Sequence, residues 1–194
     1  MFMPNLKEIK QTILREMPPE EAARFDFPKI KGNPPEEVIA FINQMEQLLT
    51  KEQCLSIMAE QGCGKSGVTD KEHREFGHAH KGKSIAEKLA LLKENGPHKG
   101  VLKKLNEDGT LTIAWGYGEE GTYRCICRKI CRLQKEKQQK VDIPFSFCGC
   151  CGGHIRHHNE NALGVKLRLK EIVSSPLISD GKQRCEFLFE IVQN

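Results

Sequence analysis

The chain has 194 residues, 38% of them hydrophobic and 29% charged, the balance of a soluble globular protein with enough length to bury a real core. No stretch approaches the ~20 apolar residues of a membrane-crossing helix, and Lys7, Glu8, Lys10 and Arg15 break up the first residues, so neither a secretory leader nor a membrane span is expected and the cytoplasm is the expected location. A net charge of +4 is too small to call for a polyanionic partner by itself.

In chain order, Leu6, Ile9, Ile13 and Leu14 are spaced as one apolar helix face, which Pro18-Pro19 must end. A second helix is predicted to begin at Asn33-Pro34-Pro35-Glu36-Glu37, where a capping side chain, prolines and early acids coincide. Val38, Phe41, Ile42, Met45, Leu48 and Leu49 carry its periodicity, and it is predicted to run to Gly62. Residues 62–83, rich in Gly, Lys and His, read as a loop; Ser84 to Asn95 reads as a short helix with Ile85, Leu89 and Leu92 on one side and Gly96-Pro97 as its stop.

Strand signals follow. Residues 101–105 and 110–115 flank a hairpin turn at Asn106-Glu107-Asp108-Gly109, and Thr122 to Ile130 reads as a third strand. A polar loop is predicted over 132–140. Gly152-Gly153 reads as a turn, followed by a helix of about ten residues that ends near Gly164. Val165 to Val173 then alternates as a half-buried strand, and Cys185 to Val192 pairs with it antiparallel across a link containing Pro176 and Asp180-Gly181. The expected fold is therefore α+β, an antiparallel sheet with helices packed on one side and an N-terminal helical segment. Residues 1–96 form the mainly helical region and 97–194 the cysteine-rich α+β region of one compact domain.

Nine cysteines dominate the chemistry, six of them between Cys125 and Cys151. An odd number of thiols in a reducing compartment points to free thiols or metal thiolates rather than a disulfide framework. On a strand, Cys125 and Cys127 share a face, and Cys148 and Cys150 repeat the spacing at a helix entrance, so four thiolates could close a tetrahedral zinc site with Ile126 turned into the core. Cys-x-Cys is a less common zinc spacing than Cys-x-x-Cys, and buried small hydrophobes are the plain alternative. A third reading makes Cys150 or Cys151 a nucleophile at a helix N-terminus, with His154 or His157 as base and Glu160 or Asn159 as orienter, for hydrolysis or acyl transfer.

Three other features carry less. Ala59 to Ser66 approaches a phosphate-binding loop, but Ala59 replaces the first glycine and a helix precedes it. His73, His78 and His80, with Cys54, Cys63 and His98, could form a second metal set, although their spacing reads as a solvated loop. The basic run Arg124 to Lys140 has Tyr123 as its neighbouring aromatic and no binding motif, so a zinc-stabilised nucleic-acid module ranks last and nucleic acid is not the expected partner.

The C-terminal order, a Cys-x-Cys strand, Cys148-Gly-Cys-Cys-Gly-Gly-His154, a helix to Gly164-Val165, a strand ending Val173-Ser174-Ser175, then Gly181-Lys-Gln-Arg-Cys185-Glu-Phe-Leu-Phe189, resembles a bacterial cysteine-rich family of unknown function. That family is similar in turn to 4-vinyl reductase-type domains, α/β modules that bind small molecules in sensors and tetrapyrrole metabolism. The resemblance covers roughly residues 100–192. It implies a small-molecule partner, a sensory role, and zinc held by a glutamate and cysteines at positions matching Glu171 and Cys185. Where those relatives place a further cysteine, this chain has Ser174 and Ser175. The candidate metal ligands are thus Cys125, Cys127, Cys148, Cys150 and Cys185, around a cysteine-lined site for zinc or a small ligand.

Overall fold

The computed structural model describes residues 3–29, 32–127, 130–133 and 141–192. Helix α1 (Leu6–Glu16) buries Leu6, Ile9 and Ile13 as its spacing predicts, whereas Leu14, expected on the same face, is exposed, and α2 (Pro19–Ala22) follows the proline break. Asn33 does not cap the next helix. Its side chain instead accepts from the Leu6 amide at 3.0 Å and donates to the Pro4 carbonyl at 2.7 Å, tying the start of α1 to a distant turn.

The helix predicted to run unbroken to Gly62 is two helices, α3 (Pro35–Leu48) and α4 (Lys51–Glu60). Apolar periodicity crosses the join, but Thr50 stops it: its hydroxyl accepts from the Gln53 amide at 3.2 Å while the Gln53 side chain accepts from the Thr50 amide at 2.9 Å. This reciprocal cap satisfies two donors that a new helix would leave open. Residues predicted as a loop contain α5 (Val68–Ala79), whose buried face holds Asp70 and His73 in place of aliphatic side chains. Helix α6 (Ile85–Glu94) begins at Ser84 with the same reciprocal cap, to Glu87.

The sheet is antiparallel in the order β1 (Leu102–Leu105), β2 (Leu111–Trp115), β4 (Cys185–Val192), β3 (Lys166–Ser174). Register pairs Leu111, Ile113 and Trp115 with Phe189, Phe187 and Cys185, so one continuous apolar row faces the helices. That row belongs to the α+β arrangement expected from the sequence. Among the described residues, the third strand predicted at 122–130 does not form. Tyr117 and Arg124 make an isolated bridge, because both edges of β2 are taken by β1 and β4, and residues 130–133 are helical. The polar loop expected at 132–140 lies largely outside the described residues.

Gly152 and Gly153 lie inside helix α7 (Gly149–Leu163), which is longer than predicted and starts before them, after a 3₁₀ turn at Phe145–Cys148. Their role is close packing. A Cβ on Gly153 would fall on the Ala59 carbonyl of α4, and one on Gly152 would reach 2.8 Å from Leu169 of β3. Helix α7 therefore lies against α4 at backbone contact with the sheet behind it, and it ends at Gly164 in the left-handed conformation, φ 71°. Lys88 of α6, 6% exposed, donates to the Leu163 carbonyl at 2.6 Å, placing a cation on the negative end of that helix. Buried apolar residues from α1, α3, α4, α7 and the sheet join in one cluster. No helix among the described residues is long and apolar enough to cross a membrane.

Candidate functional site

The N-terminal half of α7 is the hub of the site. Its first turn carries Cys150 and Cys151, its second His154, and its third His157 and His158, so successive faces of one helix present sulfur and then imidazole. No disulfide links any of the nine cysteines among the described residues. Cys125, Cys127, Cys148 and Cys150 line a single small apolar chamber with Cys63, Cys151, Ile126 and Phe147, leaving about 10 Å³ for the centre of a water-sized sphere. The Cys-x-Cys pairs thus border one chamber, but among the described residues the group whose ligand atoms lie within 4.8 Å of one another is Asp70, His157 and His158 and not these sulfurs; Cys125 and Cys127 reach the chamber from an irregular segment, and Ile126 shares the lining instead of turning away. Cys185 is buried on β4 beside this group, near enough to Cys148 and Cys151 for each to oppose the other's charge.

The thiols divide into two kinds. Burial pushes Cys127 and Cys185 up to about 12 and raises Cys148 and Cys151, with neighbouring sulfurs adding to the rise at Cys127, Cys151 and Cys185. Cys150, 3% exposed, is raised first by its interaction with the Cys63 sulfur and then by burial; its thiol donates to the Gln61 carbonyl at 3.2 Å. The helix N-terminus that should favour a thiolate at Cys150 or Cys151 is outweighed by desolvation. Cys63 is the beneficiary: its interaction with the Cys150 side chain holds it down at about 7. Cys131 is lowered to about 7 in the same way by Cys125.

Cys63 and Cys151 also face outward. They form one wall of an open cleft of about 250 Å³ whose other walls are Trp115, Tyr117, His98 and His154. By sequence, Cys63 groups with His73, His78, His80, Cys54 and His98 and not with the cysteine clusters; only the fold brings it to Cys150, from the turn after α4. His154 could serve Cys150 or Cys151 as a base only through Nε2, since its other ring nitrogen is engaged. Its Nδ1 donates to the Cys63 carbonyl.

Behind the cleft lies a cluster of five histidines. The ring of His158 is 4.6 Å from that of His154, 4.9 Å from His73, 5.4 Å from His157 and 6.3 Å from His98. Each contact fixes a tautomer: Nδ1 of His73 donates to Thr69 at 2.7 Å and Nε2 of His158 to Gly64 at 3.1 Å. Desolvation, reinforced by the other imidazoles, brings His73 down to about 4 and His158 to about 3, and lowers His98 and His154. His73, His98, His154 and His158 are therefore uncharged at neutral pH. Residues 62–83, predicted as a solvated loop, supply His73 from a buried helix position, whereas His78 is exposed.

Asp70, His157 and His158 form a group whose metal-binding atoms all lie within 4.8 Å of one another, a spacing that a single ion could bridge. Asp70 is well occupied: it accepts from Nε2 of His157 at 2.7 Å and from Asn161 at 3.1 Å, and it pairs with Arg74. The zinc pair implied by the family resemblance does not converge. Glu171 is exposed, 3.7 Å from Lys51, and its register partner is Leu188, outside the Cys185–Phe187–Phe189 row. The basic run 124–140 falls mostly outside the described residues.

No protein-family model matches the chain, and no curated protein matches it significantly. Among solved structures, an H-NOX protein from S. oneidensis in the Fe(II)NO ligation state aligns over 97% of this chain and 90% of its own, with 8% identity and a TM-score of 0.34. A likeness at that level defines neither the fold nor a ligand.

Proposed function

We propose that this protein binds a thiophilic metal ion, zinc or a softer relative, in its cysteine chamber, and that the adjoining cleft admits a small ligand to it. One observation carries the reading: Cys63 and Cys151 belong to the walls of both the small cysteine chamber and the wider cleft. A bound ion would then have protein sulfur behind it and a reachable face in front, the arrangement of a site that keeps one position open. The crowding that now keeps most of these thiols protonated supports the same reading. A dication reverses the sign of that repulsion, so binding would release protons and make affinity rise with pH. Binding without turnover would make the protein a sensor of the ion or of its ligand.

Titration of chelator-treated full-length protein with cadmium tests this, because cadmium–thiolate bonds absorb in the ultraviolet where free thiols do not. Stoichiometric growth of that absorption, reduced in Cys151→Ser and Cys63→Ser, is the expected result. Folded protein that takes up cadmium without it would contradict the proposal.

A cysteine-dependent enzyme is the second reading, and the thiol it favours is Cys63. This residue is half-buried at the cleft, lowered to about 7 by the Cys150 thiol, and within reach of anything bound between Trp115 and His98. A single fast-reacting Cys63 in metal-free protein, with turnover of a small electrophile, would support it over storage or sensing.

A further inference from the structure

We propose that the cavity between helix α6, the turn at 96–101 and strand β1 is a binding site for a small phosphorylated molecule. Its volume is about 290 Å³, close to the ~300 Å³ at which small-ligand pockets begin. Four cations border it, Lys93 from α6, Lys99 from the turn, Lys103 from β1 and Arg184 from the approach to β4, and no acidic side chain does. None of the four makes an ion pair among the described residues. Positive groups drawn from four segments into one concavity repel one another, and a bound anion reverses that cost.

Lys103 is the member that packing does not explain. Register sets it on a cross-strand row with Ile113 and Phe187, both fully buried, so it stands on the face of the sheet that meets the helices. An aliphatic side chain would suit that position better. Burial instead holds the Lys103 ammonium down to about 8, and among the described residues it donates to the His98 carbonyl alone, at 3.2 Å. That carbonyl is fixed by the turn: His98 has a left-handed φ of 54°, rare outside glycine, and the same oxygen accepts from the Val101 amide at 2.9 Å. Two of the three ammonium protons are left for an occupant of the cavity.

Arg184 decides the class of anion. It is half-buried, and of its polar groups only the main-chain carbonyl is engaged among the described residues, by Oγ of Ser174 at 2.7 Å. A planar guanidinium binds two oxygens of an oxyanion side by side, while lysines act as point charges around the others. This set suits a phosphate monoester, a dianion with three terminal oxygens, better than a carboxylate with two. Leu89 and Val101 border the same space and give the organic part of the ligand an apolar wall. Nucleic acid fits less well, because Lys103 is recessed between helix and sheet and not displayed on an open face. The cavity shares no lining residue with the cysteine chamber or the cleft, so it stands apart from metal binding there.

Phosphorus NMR of phenyl phosphate titrated with the full-length protein tests the assignment. Saturable one-to-one binding is the expected result, with benzoate, which has the same ring and a single charge, a much weaker competitor. Lys103→Met and Arg184→Gln, which remove charge and keep bulk, should each weaken binding about 10-fold, as for hydrogen bonds to charged groups. Lys104→Met, on the other face of the same strand, should leave it unchanged. Should Lys103→Met not fold, Arg184→Gln decides. Absence of saturable binding, equal affinity in Arg184→Gln and the parent, or an equal loss in Lys104→Met would overturn the site. Benzoate competing as well as phenyl phosphate would overturn its class, as would a single-stranded oligonucleotide displacing phenyl phosphate at far lower concentration.

Discussion

Cys63 and His154 are joined through the main chain: the carbonyl of Cys63 accepts the Nδ1 proton of His154. The residue that connects the thiol chamber to the cleft therefore also sets which nitrogen of His154 faces the histidine cluster. Sulfur and imidazole chemistry meet at a single turn, the short link between α4 and α5.

Reactivity of the thiols should follow from that placement. With Cys63 at about 7, roughly half of it is thiolate at neutral pH, and its alkylation rate should climb through pH 6–8 and then level, whereas Cys150 and Cys148 stay slow until far higher pH. Cys131, lowered equally, should react alongside it. Peptide mapping after brief alkylation of metal-free protein measures this; Cys150 labelled as quickly as Cys63 would remove the basis for the contrast.

Much of the scaffold is legible in the sequence, and the gaps have physical causes. The β3–β4 pair, the β1–β2 hairpin and α6 announce themselves through alternation, a turn at Asn106 to Gly109 and a Ser84–Glu87 cap. Helix α5 escapes because it packs through Asp70, His73 and Gly77, and apolar periodicity cannot register a polar face. The Thr50–Gln53 cap was readable as a break but was overridden by the apolar run across it. Within the site, strand spacing does not place Cys125 and Cys127, which border the chamber from an irregular segment, and the Cys63 contact and the histidine cluster join segments far apart in the chain, which only tertiary packing reveals.

Gly153 should tolerate no side chain. The substitution Gly153→Ala drives a methyl group into the Ala59 carbonyl, so α7 must lift from α4, and a loss of about 1–3 kcal/mol is expected from overpacking of this kind. Urea unfolding monitored by circular dichroism gives the value, and a change under ~0.5 kcal/mol would mean that the two helices are less tightly apposed than described.

Acid should destabilise the metal-free protein early. His73 and His158 titrate at about 4 and about 3 when folded and near 6.5 when unfolded, so below pH 6.5 the unfolded chain takes up protons that the folded chain refuses. Their contribution is fully present above pH 6.5 and is lost as pH falls towards 4 and then 3. The midpoint of thermal unfolding should drop across that window, and His73→Asn should flatten the slope; a flat parent profile between pH 6.5 and 4 would contradict the buried, neutral cluster.

Lys88 supplies a separate test of how α7 is held. Lys88→Met keeps the aliphatic bulk and removes the cation from the Leu163 carbonyl, which should cost about 1.5–3 kcal/mol, as for a hydrogen bond to a charged group. Its cadmium stoichiometry should be unchanged, since the residue lies at the opposite end of α7 from the cysteines. An unaltered unfolding midpoint in urea would show that the carbonyl finds another donor.

The most direct test is anomalous diffraction from crystals of the full-length protein saturated with zinc or cadmium, recorded on both sides of the metal absorption edge. A peak is expected inside the chamber bounded by Cys63, Cys127, Cys148, Cys150 and Cys151, at bonding distance from at least two of their sulfurs. A well-ordered chamber with every one of these thiols free, while metal occupies other positions on the same molecule, would contradict the cysteine-lined metal site.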